Sequence, residues 1–453
     1  MVVITRSGAL VRATPEIKTA LRVRPLANDD FGFPPPAFSV YRKASDGKVC
    51  VPRYFDWGSE RVTEDKRPEP TRVAVRFVGR LRASTNQLEA YDSALRAGHG
   101  ILALPCGFGK TVLALALSAR LGYRTMIIVH KEFLANQWRE RIAEFCPGAR
   151  VGVVQQNKKE IDGCDYVIAM LQSLSMKEYS FSDFDSIGTV IIDEAHHICA
   201  RTFSQSLFKL CPRHIFGLSA TPERKDGLTR VLKWFCGDIV YSAERKAQKG
   251  VEVYNVSFDH SSFRDPPPTM RNGKVSLSTM ITSLTEIRER NARLVEIVRE
   301  ASRGTRKVLV LSDRRRHCEF LAQCFPTDSG LYMGGMKAQD LQESSTKKII
   351  IATYSLAHEG LDIPALDTVV LSTPKSDIVQ SIGRIMRETK GKKNNPRIYD
   401  FKDEWGLLGA MHWKRLKVYR QSGFTIHSGG GPAAAARSSP FEGKFAFKNI
   451  DPL

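Results

Sequence analysis

The sequence has no Cys-x-x-Cys and no His-x-x-x-His pair, although nine cysteines are spread from Cys50 to Cys324. That absence argues against a zinc site and a disulfide framework, and it predicts a reducing, intracellular setting. No uninterrupted apolar run approaches the roughly 20 residues needed to cross a bilayer, and the N-terminus has no apolar signal core. A soluble chain, neither membrane-bound nor secreted, is expected. Arg6, Arg12, Arg22 and Arg24 have few acids nearby, but they lack the clean amphipathic helix of an organellar transit segment. Acidic residues are the minority, with 48 Asp and Glu against 68 Lys and Arg, which leaves a net charge of +20. Solubility alone does not need that excess, and it favours a polyanionic partner.

At 453 residues the chain exceeds one ordinary core, so two or three domains are expected. Residues 1–75 are rich in breakers such as Pro34, Pro35 and Pro36, and predict a small accessory domain with a linker. From Gln87 onward short apolar strands alternate with amphipathic helices: ILALP (101–105), TMIIV (125–129), DYVIA (165–169), TVIID (189–193) and HIFGLS (214–219). After Pro266, Pro267 and Pro268 a second series follows: KVLVLS (307–312), KKIIIAT (347–353), TVVLSTP (368–374) and RIYDF (397–401). Strands that alternate with helices predict parallel sheets covered on both faces. The expected fold is therefore α/β, with an accessory domain (1–75), two tandem doubly wound domains (76–245 and 246–425) and a flexible Gly- and Ala-rich tail (426–453).

In LPCGFGKTVLALAL (104–117) an apolar strand ends in a glycine turn and a helix begins at Lys110, the context of a phosphate-binding loop. Pro105, Cys106, Gly107, Phe108 and Gly109 form the turn, whose backbone amides can approach phosphates. Lys110 can reach the β and γ oxygens, and the Thr111 hydroxyl can ligate Mg²⁺. Leu104 replaces the first glycine of the general pattern. Asp193 and Glu194 end another apolar strand, at the edge where open α/β sheets bind ligands. Asp193 is assigned to the metal and Glu194 to orienting the attacking water, while a helix N-cap by Asp193 would leave Glu194 unexplained. His197, beside His196, reads as a surface residue and Trp138 as helix core.

The phosphate loop, DEAH at 193–196, SAT at 219–221 and QSIGRIMR at 380–387 occur in the order and spacing of superfamily 2 helicases. The chain resembles the branch with the XPB, UvsW and poxvirus transcript-release helicases, and their large-DNA-virus relatives, from about Lys48 to Phe424. The resemblance implies two RecA-like domains sharing one ATP and Mg²⁺ site. It implies that Gln87 reads adenine, and that His196, Ser219 and Thr221 couple hydrolysis to movement. Thr353 would touch nucleic acid, Gly360 and Asp362 would face the nucleotide, and Gln380, Arg384 and Arg387 would form the arginine-finger motif. KVCVPRYFDWG (48–58) resembles the element ahead of the motor in UvsW-like helicases. There Lys48, Arg53, Tyr54, Phe55 and Trp57 suit either a nucleic-acid face or a small aromatic core.

His130, Lys131, Gln172, Ser173, Arg201, Arg314 and Arg315 follow predicted strands and are the candidates for sequence-independent contact with a nucleic-acid backbone. The implied activity is an ATP-dependent DNA helicase or translocase, with transcription or replication machinery as partner. If the source is viral, its place is the host nucleus or cytoplasm, or the virion. Alternatives are an RNA helicase, a nucleic-acid scaffold whose ATP site does not turn over, and an unrelated P-loop enzyme.

Overall fold

The computed structural model describes residues 1–26, 35–58, 60–83, 86–105, 107–224, 226–243, 250–359, 361, 363–385 and 394–428. It divides into two compact units, Met1–Glu244 and Arg245–Leu453.

The first unit opens with β1 (Val2–Thr5), β2 (Gly8–Arg12), α1 (Pro15–Ala20), β3 (Arg22–Val23), β4 (Phe38–Ser39), β5 (Arg42–Lys43), β6 (Lys48–Val51) and β7 (Val62–Asp65). Five of these strands form one sheet in the order β5-β6-β2-β1-β7, and β3 pairs with β4. Next come α2 (Gln87–Ala97), β8 (His99–Ala103), α3 (Lys110–Leu121), β9 (Thr125–Val129), α4 (Glu132–Phe145), β10 (Val151–Gln155) and β11 (Lys158–Lys159). β12 (Tyr166–Met170), α5 (Leu171–Met176), β13 (Thr189–Ile192), α6 (Arg201–Ser206), β14 (His214–Ser219), α7 (Thr229–Cys236) and β15 (Ile239–Ser242) complete it. These strands make an eight-stranded sheet, β11-β10-β12-β9-β13-β14-β8-β15, parallel except at β11.

The central strands are buried along their whole length, as continuous Val, Ile and Leu runs require of a sheet covered on both faces. Alternate side chains feed opposite layers. Met126 and Ile128 enter a core shared with the N-terminal strands, whereas Ile127 and Val129 pack with the layer of α2, α3 and α4. The N-terminal sheet is thus joined to the larger one by a continuous apolar core that includes Val2, Val11, Val51 and Phe55.

The VPRY element belongs to this seam. Tyr54 stacks on His99 at 4.1 Å, Phe55 meets Trp234 edge-on at 5.5 Å, and Arg53 donates to the carbonyls of Pro212 and Arg213. Arg53, Tyr54 and Phe55 are thus occupied within the protein, as an aromatic core requires, while Trp57 is half-buried and Lys48 exposed.

The second unit is a seven-stranded, wholly parallel sheet with helices between successive strands. Its strands are β16 (Glu252–Phe258), β17 (Val308–Ser312), β18 (Ser329–Tyr332), β19 (Ile349–Thr353), β20 (Thr368–Leu371), β21 (Arg397–Asp403) and β22 (Thr425–Ser428), in the order β18-β19-β17-β20-β21-β16-β22. β16 precedes Pro266–Pro268 in the chain yet pairs with β21, so the proline run lies inside this unit and not between the two series. The architecture is two tandem RecA-like α/β domains, and among the described residues no helix is long and apolar enough to cross a membrane.

Candidate nucleotide site

The phosphate loop runs from the end of β8 into α3. Gly107 and Gly109 have φ of +81° and +91°, a backbone region that favours glycine. At Gly109 the reason is also space, because a Cβ there would lie 2.3 Å from Gln87 Nε2. The Gln87 side chain is buried; its amide nitrogen donates to Phe108 O and its oxygen accepts from Arg82 N at 2.7 Å. Arg82 adds a bond to Gly107 O at 3.3 Å. Gln87 therefore braces the loop, with one of its two amide N–H groups spent on Phe108 O. Arg82 went unnoticed in the sequence because its flanks follow no familiar pattern. Thr111 is the second residue of α3, half-buried, and Pro105 sits where β8 gives way to the turn.

Lys110 Nζ lies 2.9 Å from Glu194 Oε1, with both side chains less than one-fifth exposed. Glu194 Oε2 is buried and makes no hydrogen bond; His196 Nδ1 is 3.5 Å from it. Glu194 also adopts a left-handed backbone, φ +45° and ψ +53°, a conformation that costs a residue with a side chain about 1 to 3 kcal/mol and clusters at functional sites. Burial pushes the Glu194 carboxyl up, but Lys110 and His196 outweigh it and hold it below the usual range. Asp193 moves the other way: burial and the neighbouring Glu194 raise it. Its Oδ2 accepts from Trp138 Nε1 at 2.9 Å and its Oδ1 from Glu194 N at 3.0 Å. Trp138 is helix core, as expected, with its one polar atom aimed at the carboxylate assigned to the metal.

Behind the carboxylates three imidazoles lie against one another, His130 and His197 with ring centroids 3.9 Å apart and tilted by 33°, His197 and His196 4.3 Å apart and tilted by 37°. His197 is half-buried rather than a surface residue, and burial with its two imidazole neighbours pushes it down to about 3. Burial lowers His130 and His196 as well, so the rings are neutral at neutral pH. His196 Nδ1 pairs with Ser219 Oγ at 3.2 Å, and the same hydroxyl accepts from Thr221 N at 3.2 Å. The three coupling candidates therefore meet. Arg224, which sequence reasoning missed, donates to His196 O and clasps Asp226.

The strand-contact candidates separate. His130 is 7% exposed, which withdraws its ring from the surface, and its carbonyl accepts from Gln172 Nε2 at 2.6 Å. Ser173 is buried and accepts from Gln156 N. Lys131 is half-buried, while Gln172 and Arg201 are exposed. In the second unit Arg314 donates to Thr282 Oγ1, Ser278 O and Asp313 O, and Arg315 to Gly334 O. Arg314 thus ties the turn after β17 to the helix of residues 277–286. Thr353 ends β19 half-buried, its hydroxyl 3.3 Å from Ser355 Oγ. Cys106, Gly360, Asp362 and Arg387, and the side chains of Gln380 and Arg384, lie outside the described residues.

Residues 80–224 match the family described as type III restriction enzyme, res subunit, and residues 289–389 the helicase conserved C-terminal domain. A protein of Acanthamoeba polyphaga mimivirus named as an ATP-dependent RNA helicase is 30% identical over 429 residues, covering 88% of this chain and 81% of its own. A protein of Invertebrate iridescent virus 6 named as a helicase is 31% identical over 386 residues, covering 78% and 83%. An African swine fever virus protein named as an ATP-dependent RNA helicase is 24% identical over 362 residues, covering 73% and 70%. Among solved structures, a fragment assigned to the HsdR subunit of a type I restriction enzyme from Vibrio vulnificus aligns with a TM-score of 0.54 at 16% identity, over 76% of this chain and 67% of that one. That likeness is one of fold. With one family match on each unit and viral relatives aligned over most of both chains, this chain belongs to the superfamily 2 helicases, alongside those of large DNA viruses, and is a nucleic-acid-dependent ATPase.

Proposed function

We propose that the chain is an ATP-driven DNA helicase or translocase whose hydrolytic centre is Lys110, Thr111, Asp193 and Glu194. The observation that carries this is the Lys110–Glu194 pair with Glu194 Oε2 left buried and unbonded. A γ-phosphate on the loop competes for the Lys110 ammonium through charge-assisted bonds. Glu194, ceded by Lys110, then accepts a hydrogen bond from water and aims that water at phosphorus. Its strained backbone fixes that aim.

The residues fit a divalent ion. Asp193 is a half-buried carboxylate raised by desolvation, held by two neutral N–H donors, and forming no ion pair of its own among the described residues. Asp193 and the Thr111 hydroxyl would hold Mg²⁺, which supplies charge neutralisation at the phosphate oxygens. His196, Ser219 and Thr221 connect the carboxylates to the loop after β14, and through that loop hydrolysis is coupled to movement. Gln380, Arg384, Arg387, Gly360 and Asp362 enter the proposal through the family resemblance.

The preference for DNA rests on the resemblance to the XPB and UvsW branch. RNA is the second reading, favoured by the names of the mimivirus and African swine fever virus relatives. Steady-state ATP hydrolysis with single-stranded, duplex or forked DNA or with RNA, and Lys110→Ala as control, decides between them. Stimulation by DNA that disappears in the variant is expected. Stimulation by RNA alone overturns the DNA reading, and hydrolysis indifferent to every polymer overturns the motor.

A further inference from the structure

A cleft of about 860 Å³ lies between the N-terminal strands and the helix that follows the acidic box. Lys18, Arg22 and Arg24 line it from α1 and β3, Tyr41 from the chain beyond β4, and Arg201 and Gln205 from α6. All four cations are exposed, none forms an ion pair with a described residue, and no carboxylate appears among the described residues that line the cleft. The two walls are fastened together. Gln205 Nε2 donates to Ser39 O at 2.9 Å, Arg42 donates to Gln205 O at 2.9 Å, and the Arg42 guanidinium lies 5.4 Å from the Phe208 ring centroid. Phe38 beneath them is buried in the core shared by the two sheets.

Four like charges around one recess, none paired with a described residue, repel one another. A polyanion threaded between them removes that repulsion and releases its own counterions. Tyr41, half-buried at the edge, adds an aromatic surface of the kind on which a base can stack. We propose that this cleft is a second nucleic-acid site that holds the phosphodiester backbone outside the loops at the carboxyl ends of the RecA-like strands, an inference that rests on the motor reading. Arg201 also gives the site a route to the chemistry. It opens α6, separated by Ala200 alone from the Ala195–Cys199 turn that carries His196, so a backbone held here bears on the segment that positions Glu194.

The test uses the full-length protein and the triple variant Lys18→Ala, Arg22→Ala, Arg24→Ala. Binding of labelled forked DNA, single-stranded DNA, duplex DNA and RNA is followed by fluorescence anisotropy across a salt series. The expected result is a 10- to 100-fold loss of affinity and a slope of log K against log salt that is shallower by about 2 to 3, the release expected for three lost phosphate contacts. Basal hydrolysis is expected to stay unchanged. The polymer concentration for half-maximal stimulation is expected to rise while the maximal rate holds. Arg22→Lys with Arg24→Lys keeps the charge and should retain binding. Loss confined to one polymer or spread over all of them supports the site and names its ligand. Unchanged affinity and slope in a triple variant with wild-type circular dichroism overturns it. If the wild-type protein itself binds none of the polymers, the motor reading fails and the cleft proposal with it.

Discussion

In the second unit Asp400 is fully buried, receives Arg415 at 2.8 Å and the Tyr419 hydroxyl at 2.9 Å, and lies 3.6 Å from His412. Asp403 holds Arg290 through two bonds of 2.7 and 2.9 Å with neither side chain exposed. In the first unit Glu194 also faces a cation, but one of its oxygens is left without a hydrogen bond, its backbone is left-handed, and burial holds Asp193 toward protonation. Both regions draw carboxylates away from water, and they differ in whether every carboxylate oxygen is bonded: those of Asp400 and Asp403 are, although Arg290 Nη1 beside Asp403 is not, and one oxygen of Glu194 is left open. A buried carboxylate with both oxygens bonded fixes packing, whereas one with an open valence is held ready for a ligand that completes it.

The largest effect expected from this contrast is on chemistry. Glu194→Gln keeps the shape of the side chain and removes its ability to take up a proton, so kcat should fall by about 10³ to 10⁴. Binding of a fluorescent ATP analogue should persist, and the fold should hold because the amide oxygen of the introduced glutamine still accepts from Lys110. Wild-type turnover in this variant would make the unmatched oxygen an accident of packing.

The matched side of the comparison should break in stability instead. Arg415→Ala leaves Asp400 buried and unpaired, a loss of about 3 to 5 kcal/mol. Urea unfolding should show it in the second unit's transition, with ATP affinity at the loop unaltered. The pH dependence has a definite sign. Burial raises Asp400, but Arg415 and His412 outweigh it and hold the carboxyl below its usual range. The folded state therefore binds that proton more weakly than the unfolded one. The stabilisation is fully present above the ordinary carboxylate range near pH 4 and is lost as pH falls through the lowered value. The difference in melting temperature between wild type and Asp400→Asn should therefore shrink on acidification. A gap that widened would reverse the assignment of Asp400 as the ionised partner.

Much of this arrangement is local in the chain, and that part is legible in the sequence. The phosphate loop and the DEAH string each place their groups within a few residues, and the strands with unbroken apolar runs stand where their composition puts them. Other strands are not legible. Val151–Gln155 and Glu252–Phe258 mix buried and half-buried positions, and Ser329–Tyr332 and Thr425–Ser428 are short edge strands. Contacts made by sheet register are also silent. β9 and β13 pair in parallel, Ile128 opposite Ile192, which brings His130 and the segment 193–197 to one edge. Nothing in the spacing of His130, Trp138, Asp193 and His197 announces that they meet.

Trp138 gives the smallest and most discriminating effect. Its ring is core, and Phe keeps most of that packing while removing the N–H that Asp193 Oδ2 accepts. If the bond serves only the fold, Trp138→Phe should cost stability and leave the metal dependence where it was. If the bond orients a carboxylate awaiting a cation, the loss should appear as a 10- to 100-fold higher Mg²⁺ requirement, the range usual for a lost partner of a metal ligand. Maximal turnover at saturating Mg²⁺ should stay within a factor of about three, because about 0.6 kcal/mol covers that change and the attacking water is aimed by Glu194. Mn²⁺ binding in the presence of a non-hydrolysable nucleotide, followed by electron paramagnetic resonance, reads the same affinity without turnover. A weaker Mn²⁺ signal alongside a higher Mg²⁺ requirement places Trp138 with the unmatched charges of the first unit. An unchanged signal returns it to the core and leaves Asp193 oriented by the Glu194 backbone alone.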